Sequence, residues 1–372
     1  MNLLHISPRL RPGSVNAMAA ELACGLQQAG FRNTVISPPN ELVGRMAAAS
    51  VQHHSSRNIA VFTYMSELRR VQRLVESTHT DIILAYTTPA ANLAWRACHN
   101  MPDETRPRII GIHTTYPRHP GWAASLNRCD ALVAVSRHLR NELTSRAKLD
   151  AEREIWVIPY GVNEELCFPG YRPFNTWLEQ WLRQYKEEEE NTLSVCVPGA
   201  ITPNHGLEDL VPILSRTNSA KVPVHVYIAG DTARADQHYL NKLKKLFRTS
   251  GVEKQITWLG HRPDLRDVIC ICDVVLSLAK LPASYDRVVQ EALALNRPVA
   301  AYDHGVVGEL LDAFLPEGRV APGDTAGIAD RLEQWHAYRP YLNEKLPYPY
   351  RLSDTIRSIA ELCTSLGQGG QK

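Results

Sequence analysis

The chain has 372 residues, 44% of them hydrophobic, which is too long for one ordinary domain and predicts two. The net charge is +2, which argues neither for nor against nucleic acid, and no stripe interleaves aromatic with basic residues as a nucleic-acid surface would. No run of about 18 apolar residues exists to span a membrane, and the start, MNLLHISPRLRPG, lacks the charged-then-apolar pattern of a signal peptide.

In chain order, residues 2–7 (NLLHIS) read as a strand. Met18, Leu22, Leu26 and Ala29 then recur at near-helical spacing, and Gly30 stops that helix. TVIS follows, then four further apolar strands at 81–86, 108–113, 130–136 and 155–161. The second half repeats the scheme without repeating the sequence, with strands at 193–200, 224–230, 256–260, 274–279 and 297–303. Near-continuous apolar strands separated by helices predict parallel sheets covered on both faces. The boundaries expected are an N-terminal Rossmann-like domain over 1–168, a linker over 169–191, a C-terminal Rossmann-like domain over 192–351, and a C-terminal crossover helix and tail over 352–372. The linker holds Pro169, Gly170 and Pro173, a Trp-rich helix and the acidic run KEEEE, read as a solvated helix end.

Two doubly wound α/β domains in tandem predict a cleft between the carboxyl ends of both sheets, where ligands of such sheets bind. Neither half carries G-x-G-x-x-G after its first strand, so a dinucleotide is not expected. The nucleophile elbow and the Walker lysine loop are absent too. The eight cysteines form no C-x-x-C pair, which predicts reduced, buried thiols in a cytosolic protein and no metal.

The stretch RVVQEALALNRPVAAYDHGVVGELL resembles the signature of family 4 glycosyltransferases of the GT-B fold, E-x-F-G-R-x-x-x-E-A-L-A-x-G-x-P-V followed by x-D-x-G-G-x-x-E. Tyr285, Arg287, Glu291, Ala292, Pro298, Val299, Asp303, Gly305 and Glu309 match. AVSRHLR with VIPYGVN, LGHRPDL, and GAITPNHGLEDLVPIL resemble further family markers, in the family's order and along nearly the whole chain. The Y-D-H-G-x-x-G-E variant is most similar to bacterial transferases of lipopolysaccharide and surface glycans. The resemblance implies a nucleotide-diphosphate sugar as donor, a UDP-sugar first, with no cofactor and no metal. It also implies retention of anomeric configuration, and a protein-supplied positive field for the leaving diphosphate.

Several family positions are changed. The family's phosphate Arg and Lys fall on Ala200 and His205, the first Glu of its E-x7-E pair on Ala283, and a backbone Gly on Asp286. The first-domain loop, G-G-x-E in the family, reads Gly13, Ser14, Val15, Asn16. All of these lie at the diphosphate and donor-sugar end, while Glu291 and the loop holding Arg262 keep the nucleoside end. His205 is expected to be partly charged near neutrality. At an effective dielectric near 20 each lost charge at about 4 Å counts for roughly 4 kcal/mol before solvation, so the changes bear on whether chemistry survives.

Each candidate has a plainer reading beside the functional one. Glu291 holds the ribose, or caps and solvates a helix. His113 orients the donor sugar, or satisfies a backbone group. Arg287 replaces a lost cation, or forms a salt bridge, with Asp286 the partner expected. Gly13 and Ser14 offer amides to phosphate, or only turn the chain. Asp303 and His304 shape a turn first and contact ligand second. The basic helices around Arg69, Arg70 and Arg73 and around Lys242, Lys244 and Lys245 are solvated faces first and a peripheral inner-membrane contact second. The expected function is transfer of a sugar to a lipopolysaccharide-core or other surface-glycan or glycolipid acceptor, in the cytoplasm. The alternative is a catalytically impaired member acting as a binding or scaffold partner of an active transferase.

Overall fold

The computed structural model describes residues 1–7, 17–39, 42–56, 64–114, 116, 126–146, 149, 153–185, 191–232, 236–338 and 348–368. The chain divides into two compact units, Met1–Gly161 with Tyr350–Lys372, and Val162–Pro349.

The first unit runs β1 (Asn2–Ile6), α1 (Met18–Gln28), β2 (Arg32–Ser37), α2 (Leu42–Ala48), β3 (Gln52–Ser55), α3 (Tyr64–Thr78), β4 (Ile82–Ala85), α4 (Thr88–Cys98), β5 (Arg108–His113), β6 (Ala131–Ala134), α5 (Arg137–Arg146) and β7 (Ile155–Val157). Among the described residues its strands form one parallel sheet in the order β3-β2-β1-β4-β5-β6-β7. The register pairs His5 with Val35 on one side and Leu84 on the other. All four residues of β4 are buried, because helices cover both faces of a sheet wound in this way. The α4 helix starts where Thr87 accepts a hydrogen bond from the Ala90 amide, with proline in the first turn, a pairing that satisfies one of the helix's orphan donors.

The second unit runs α6 (Asn175–Gln184), β8 (Leu193–Pro198), α7 (Leu210–Ser219), β9 (Val224–Ala229), α8 (Gln237–Thr249), β10 (Ile256–Gly260), α9 (Leu265–Ile271), β11 (Val274–Ser277), α10 (Arg287–Ala294), β12 (Val299–Tyr302), α11 (Gly305–Phe314), β13 (Arg319–Val320) and α12 (Thr325–Ala337). Its parallel sheet has the order β10-β9-β8-β11-β12-β13. In both sheets the strand order reverses beside the first strand, at β1/β4 and at β8/β11. Such reversals open a crevice at the carboxyl ends of the strands.

The structure differs from the sequence expectation in three places. The edge strands β3 and β13 were not expected, since QHHS is polar and β13 is two residues long. An edge strand needs only one partner and little burial, so it leaves a weak pattern. The segment expected as a linker carries α6, whose Trp181 is buried and packs against Tyr227 of β9 at 5.3 Å. That helix therefore belongs to the second unit's core, and the unit begins at Val162.

The last helix, α13 (Leu352–Gln368), packs in the first unit. Ile359, Leu362 and Cys363 are buried. The Thr355 hydroxyl accepts from the Gly161 amide at 3.0 Å and donates to the Pro159 carbonyl at 2.8 Å. Gly25 of α1 leaves the space that Ile356 fills. Among the described residues no cysteine forms a disulfide, and seven of the eight are buried. Among the described residues no helix is long and apolar enough to cross a membrane, and no cluster of His, Cys, Asp and Glu could hold a metal ion.

Candidate functional site

In the second unit three loops leave the carboxyl ends of β8, β11 and β12. The chain after β8 makes a short turn of helix, Pro203–His205, and ends on Gly206 with φ +66°. Any Cβ there would meet the Leu278 carbonyl at 2.1 Å, so the loop approaches the end of β11 by backbone alone. The Lys280 amide then donates to the Asn204 carbonyl at 2.8 Å. The third loop is tied in the same way. His304 Nε2 donates to the Ala279 carbonyl at 2.7 Å, and the Val306 amide donates to the Ala283 carbonyl at 2.8 Å. Gly305, at φ +61°, lies where a Cβ would come within 2.5 Å of that same carbonyl oxygen. Ala283 thus seats the start of α11 by its backbone, which is compatible with the absence of a carboxylate side chain there.

The charged groups of this region are largely paired. Arg287 Nε donates to Glu291 Oε1 at 2.7 Å, one helical turn along α10, and both side chains are mostly buried. The salt bridge therefore runs to Glu291 and not to Asp286. Asp286 is the N-cap of α10, accepting from the Val289 amide at 3.1 Å. Burial raises its pKa, against the pull of that amide and of His205. His205 holds its Nδ1 at 2.8 Å from the Thr202 hydroxyl. Burial lowers its pKa more than Asp286 raises it, which favours the neutral imidazole. Ala200 is exposed. Asp303 accepts from Arg319 at 2.7 Å. The His304 ring, with Nε2 committed to a carbonyl, leaves Nδ1 buried without a partner.

His113 ends β5 in the first unit. It is buried, its Nε2 has no partner, and burial pushes its pKa down to about 4. A neutral imidazole with an unsatisfied nitrogen is not a satisfied core histidine. His5 is the contrast: equally buried, it meets Tyr86 and Asn33 at 2.8 and 2.9 Å. Arg262 lies after β10, donating to Asp264 at 2.6 Å and lying over the Trp181 ring at 5.6 Å. Its side chain therefore faces α6. Gly13, Ser14 and Asn16 lie outside the described residues.

Sequence reading missed a second polar network in the same loops. Lys280 donates to Glu208 at 2.5 Å, the Tyr239 hydroxyl donates to Glu208 at 2.6 Å, and the Tyr302 hydroxyl donates to Asp209 at 2.6 Å. Burial works against ionisation of Glu208, and Lys280 and Tyr239 outweigh it, so its pKa falls. Lys280 places a cation beside the loop that carries His205. The signal available was a lysine just past a buried strand, in SLAKLP.

Family models match both halves. The one described as Glycosyltransferase Family 4 covers residues 15–166, and the one described as Glycosyl transferases group 1 covers residues 179–345. Among solved structures, a glycosyltransferase from Rickettsia africae superposes with a TM-score of 0.85 at 19% identity, covering 98% of each chain. Anabaena HepE, solved in complex with UDP, gives 0.74 at 18% identity, covering 99% of this chain and 98% of that one. The lipopolysaccharide outer core galactosyltransferase WaaB gives 0.73 at 13% identity, covering 98% and 100%. A curated relative is the phosphatidylinositol N-acetylglucosaminyltransferase GPI3 subunit of Saccharomyces cerevisiae, 23% identical over 189 residues, half of this chain. The match spans 38% of that relative's length.

Proposed function

The chain belongs to the family 4 glycosyltransferases and has their GT-B architecture of two Rossmann-like domains, and from this we propose that it transfers a sugar from a nucleotide-diphosphate donor, a UDP-sugar first, to a bacterial surface-glycan or lipopolysaccharide-core acceptor. The observation that carries the proposal is the stitching of the β8, β11 and β12 loops into one rigid edge at the β8/β11 switch point, where ligands of such sheets bind. HepE has been solved with UDP and with UDP-glucose, and WaaB acts on lipopolysaccharide outer core. Both support the donor and acceptor classes named here.

In this reading Glu291 accepts from the ribose hydroxyls. Arg287 exchanges its carboxylate partner for the diphosphate, and Lys280 and neutral His205 contribute hydrogen-bond donors as charge builds on the leaving group. His113 supplies a neutral imidazole nitrogen to a hydroxyl of the donor sugar. Transfer is retaining and proceeds without metal or cofactor. The acceptor reaches a cytoplasmic enzyme from the inner membrane surface, with the basic faces of α3 and α8 toward anionic lipid.

A second reading is favoured by the Arg287–Glu291 pair and by Asp286 lying close enough to His205 for each to shift the other's pKa. These contacts fill the changed positions with internal partners, as a binding subunit of an active transferase would tolerate. The test is thermal denaturation against nucleotides and nucleotide sugars. A ligand at 100 times its Kd stabilises the fold by about 2.7 kcal/mol. One nucleotide sugar raising the melting temperature more than its free nucleotide is the expected result and identifies the donor. No rise with any of them at millimolar concentration would leave only the binding-subunit reading.

A further inference from the structure

The second unit holds a cleft of about 280 Å³ that none of the donor contacts proposed above involves, lined by α6 and by the turn after β10. Its floor is aromatic. Trp177 stacks on Trp181 with ring centroids 5.3 Å apart and planes 17° from parallel. Trp181 is in turn wedged against Tyr185 and Tyr227 at 4.3 and 5.3 Å. The Trp177 indole N–H donates to Asp264 Oδ2 at 2.6 Å, and Arg262 donates to the same oxygen at 2.6 Å. A half-exposed indole is thus fixed both by stacking and by its nitrogen. Around it stand groups that hydrogen-bond in either direction. Gln180 and Gln184 are exposed one helical turn apart, and the Arg262 Nε is buried without an acceptor.

We propose that this cleft binds one pyranose ring of a glycan, stacked on Trp177, with its hydroxyl edge held by Gln180, Gln184, Asp264 and Arg262. A pyranose presents an apolar C–H face and a rim of hydroxyls. An immobilised indole with amide, carboxylate and guanidinium groups beside it complements both. At about 280 Å³ the cleft lies at the small end of ligand sites, a size that a single ring fills. Because Trp177 is already fixed, binding orders little, which favours even a small ligand. The site would hold a sugar unit of a glycan chain whether or not the protein transfers one, so the proposal stands apart from the transferase reading.

The test is saturation-transfer NMR on the full chain with methyl α-glucopyranoside, methyl β-galactopyranoside and N-acetylglucosamine as probes, each at millimolar concentration and without any donor. Transfer to the ring C–H protons of at least one probe is expected. Trp177→Ala should weaken that probe about tenfold, the loss of roughly 1.4 kcal/mol, and Trp177→Phe should retain most of it. The double variant Gln180→Ala/Gln184→Ala changes only exposed helical positions, folds as the parent does, and should weaken binding several-fold. The proposal is overturned if none of the three glycosides receives saturation, if binding is the same in both the Trp177→Ala and the glutamine variants, or if UDP displaces the glycoside one for one. That last outcome would mean the cleft is the nucleoside site.

Discussion

At the scale of single residues, burial decides what the histidines can do. His5 and His113 both have pKa values near 4 against an ordinary 6.5, so each is neutral in the folded state. A group depressed in this way contributes stability that is full above pH 6.5 and is lost as pH falls toward 4, by about 3 kcal/mol for each. The melting temperature should fall across that window, and His113→Leu should lose its share of the slope. At pH 7 the same variant removes an unsatisfied buried nitrogen, so its stability should be equal to or above the parent's. If His113 meets the donor sugar, transfer falls at least tenfold in that more stable protein; undiminished turnover would make the residue a packing element only. Glu291 separates two roles in a similar way. Glu291→Gln removes the charge of the Arg287 partner but keeps an amide oxygen to accept from Nε, so the ligand-free melting temperature should fall only slightly. The rise produced by a nucleotide sugar should shrink markedly, as loss of a ribose contact requires.

At the scale of elements, the loops after β8, β11 and β12 act together because two glycines let backbones touch. Gly206 and Gly305 have φ values of +66° and +61°, and each faces a carbonyl oxygen of the β11 loop at a distance no Cβ can occupy. Gly305→Ala should therefore cost about 2–4 kcal/mol, through both the left-handed backbone and the clash. Urea denaturation would measure it. A cost under 1 kcal/mol would mean that the β11 loop is free to move aside. The fold at this scale was legible: nine of the buried strands announce themselves as apolar runs, and α10 follows from RVVQEALA. The edge strands β3 and β13 did not, because a strand paired on one side needs neither length nor an apolar face. The network of Lys280, Glu208, Tyr239, Asp209 and Tyr302 was equally invisible, since its members come from four separate places in the chain and meet only by folding.

At the scale of the whole molecule, the last helix is part of the first unit although it lies nearly 200 residues beyond it in sequence. It supplies Ile359, Leu362 and Cys363 to the core and a threonine that closes the end of the β7 segment. Burying each large aliphatic side chain contributes about 1.5–3 kcal/mol, so truncation at Pro349 should remove several kcal/mol. The shortened protein should be degraded by trypsin within the first unit at temperatures where the full chain resists. Equal resistance would show that the helix only covers a surface already stable without it.

The sequence by itself determined the family and the two-domain α/β architecture, because apolar periodicity and ordered motifs are local properties. It could name Ala200, His205, Ala283 and Asp286 as departures, but not what took their place. That was decided by tertiary structure. Burial shifted His205 toward its neutral form, the geometry of α10 gave Arg287 to Glu291, capping gave Asp286 to an amide, and the packing of α6 on β9 placed an aromatic floor in the segment expected as a linker. Charge state and partnership depend on distance and solvent exposure, and those exist only once residues remote in the chain have been brought together.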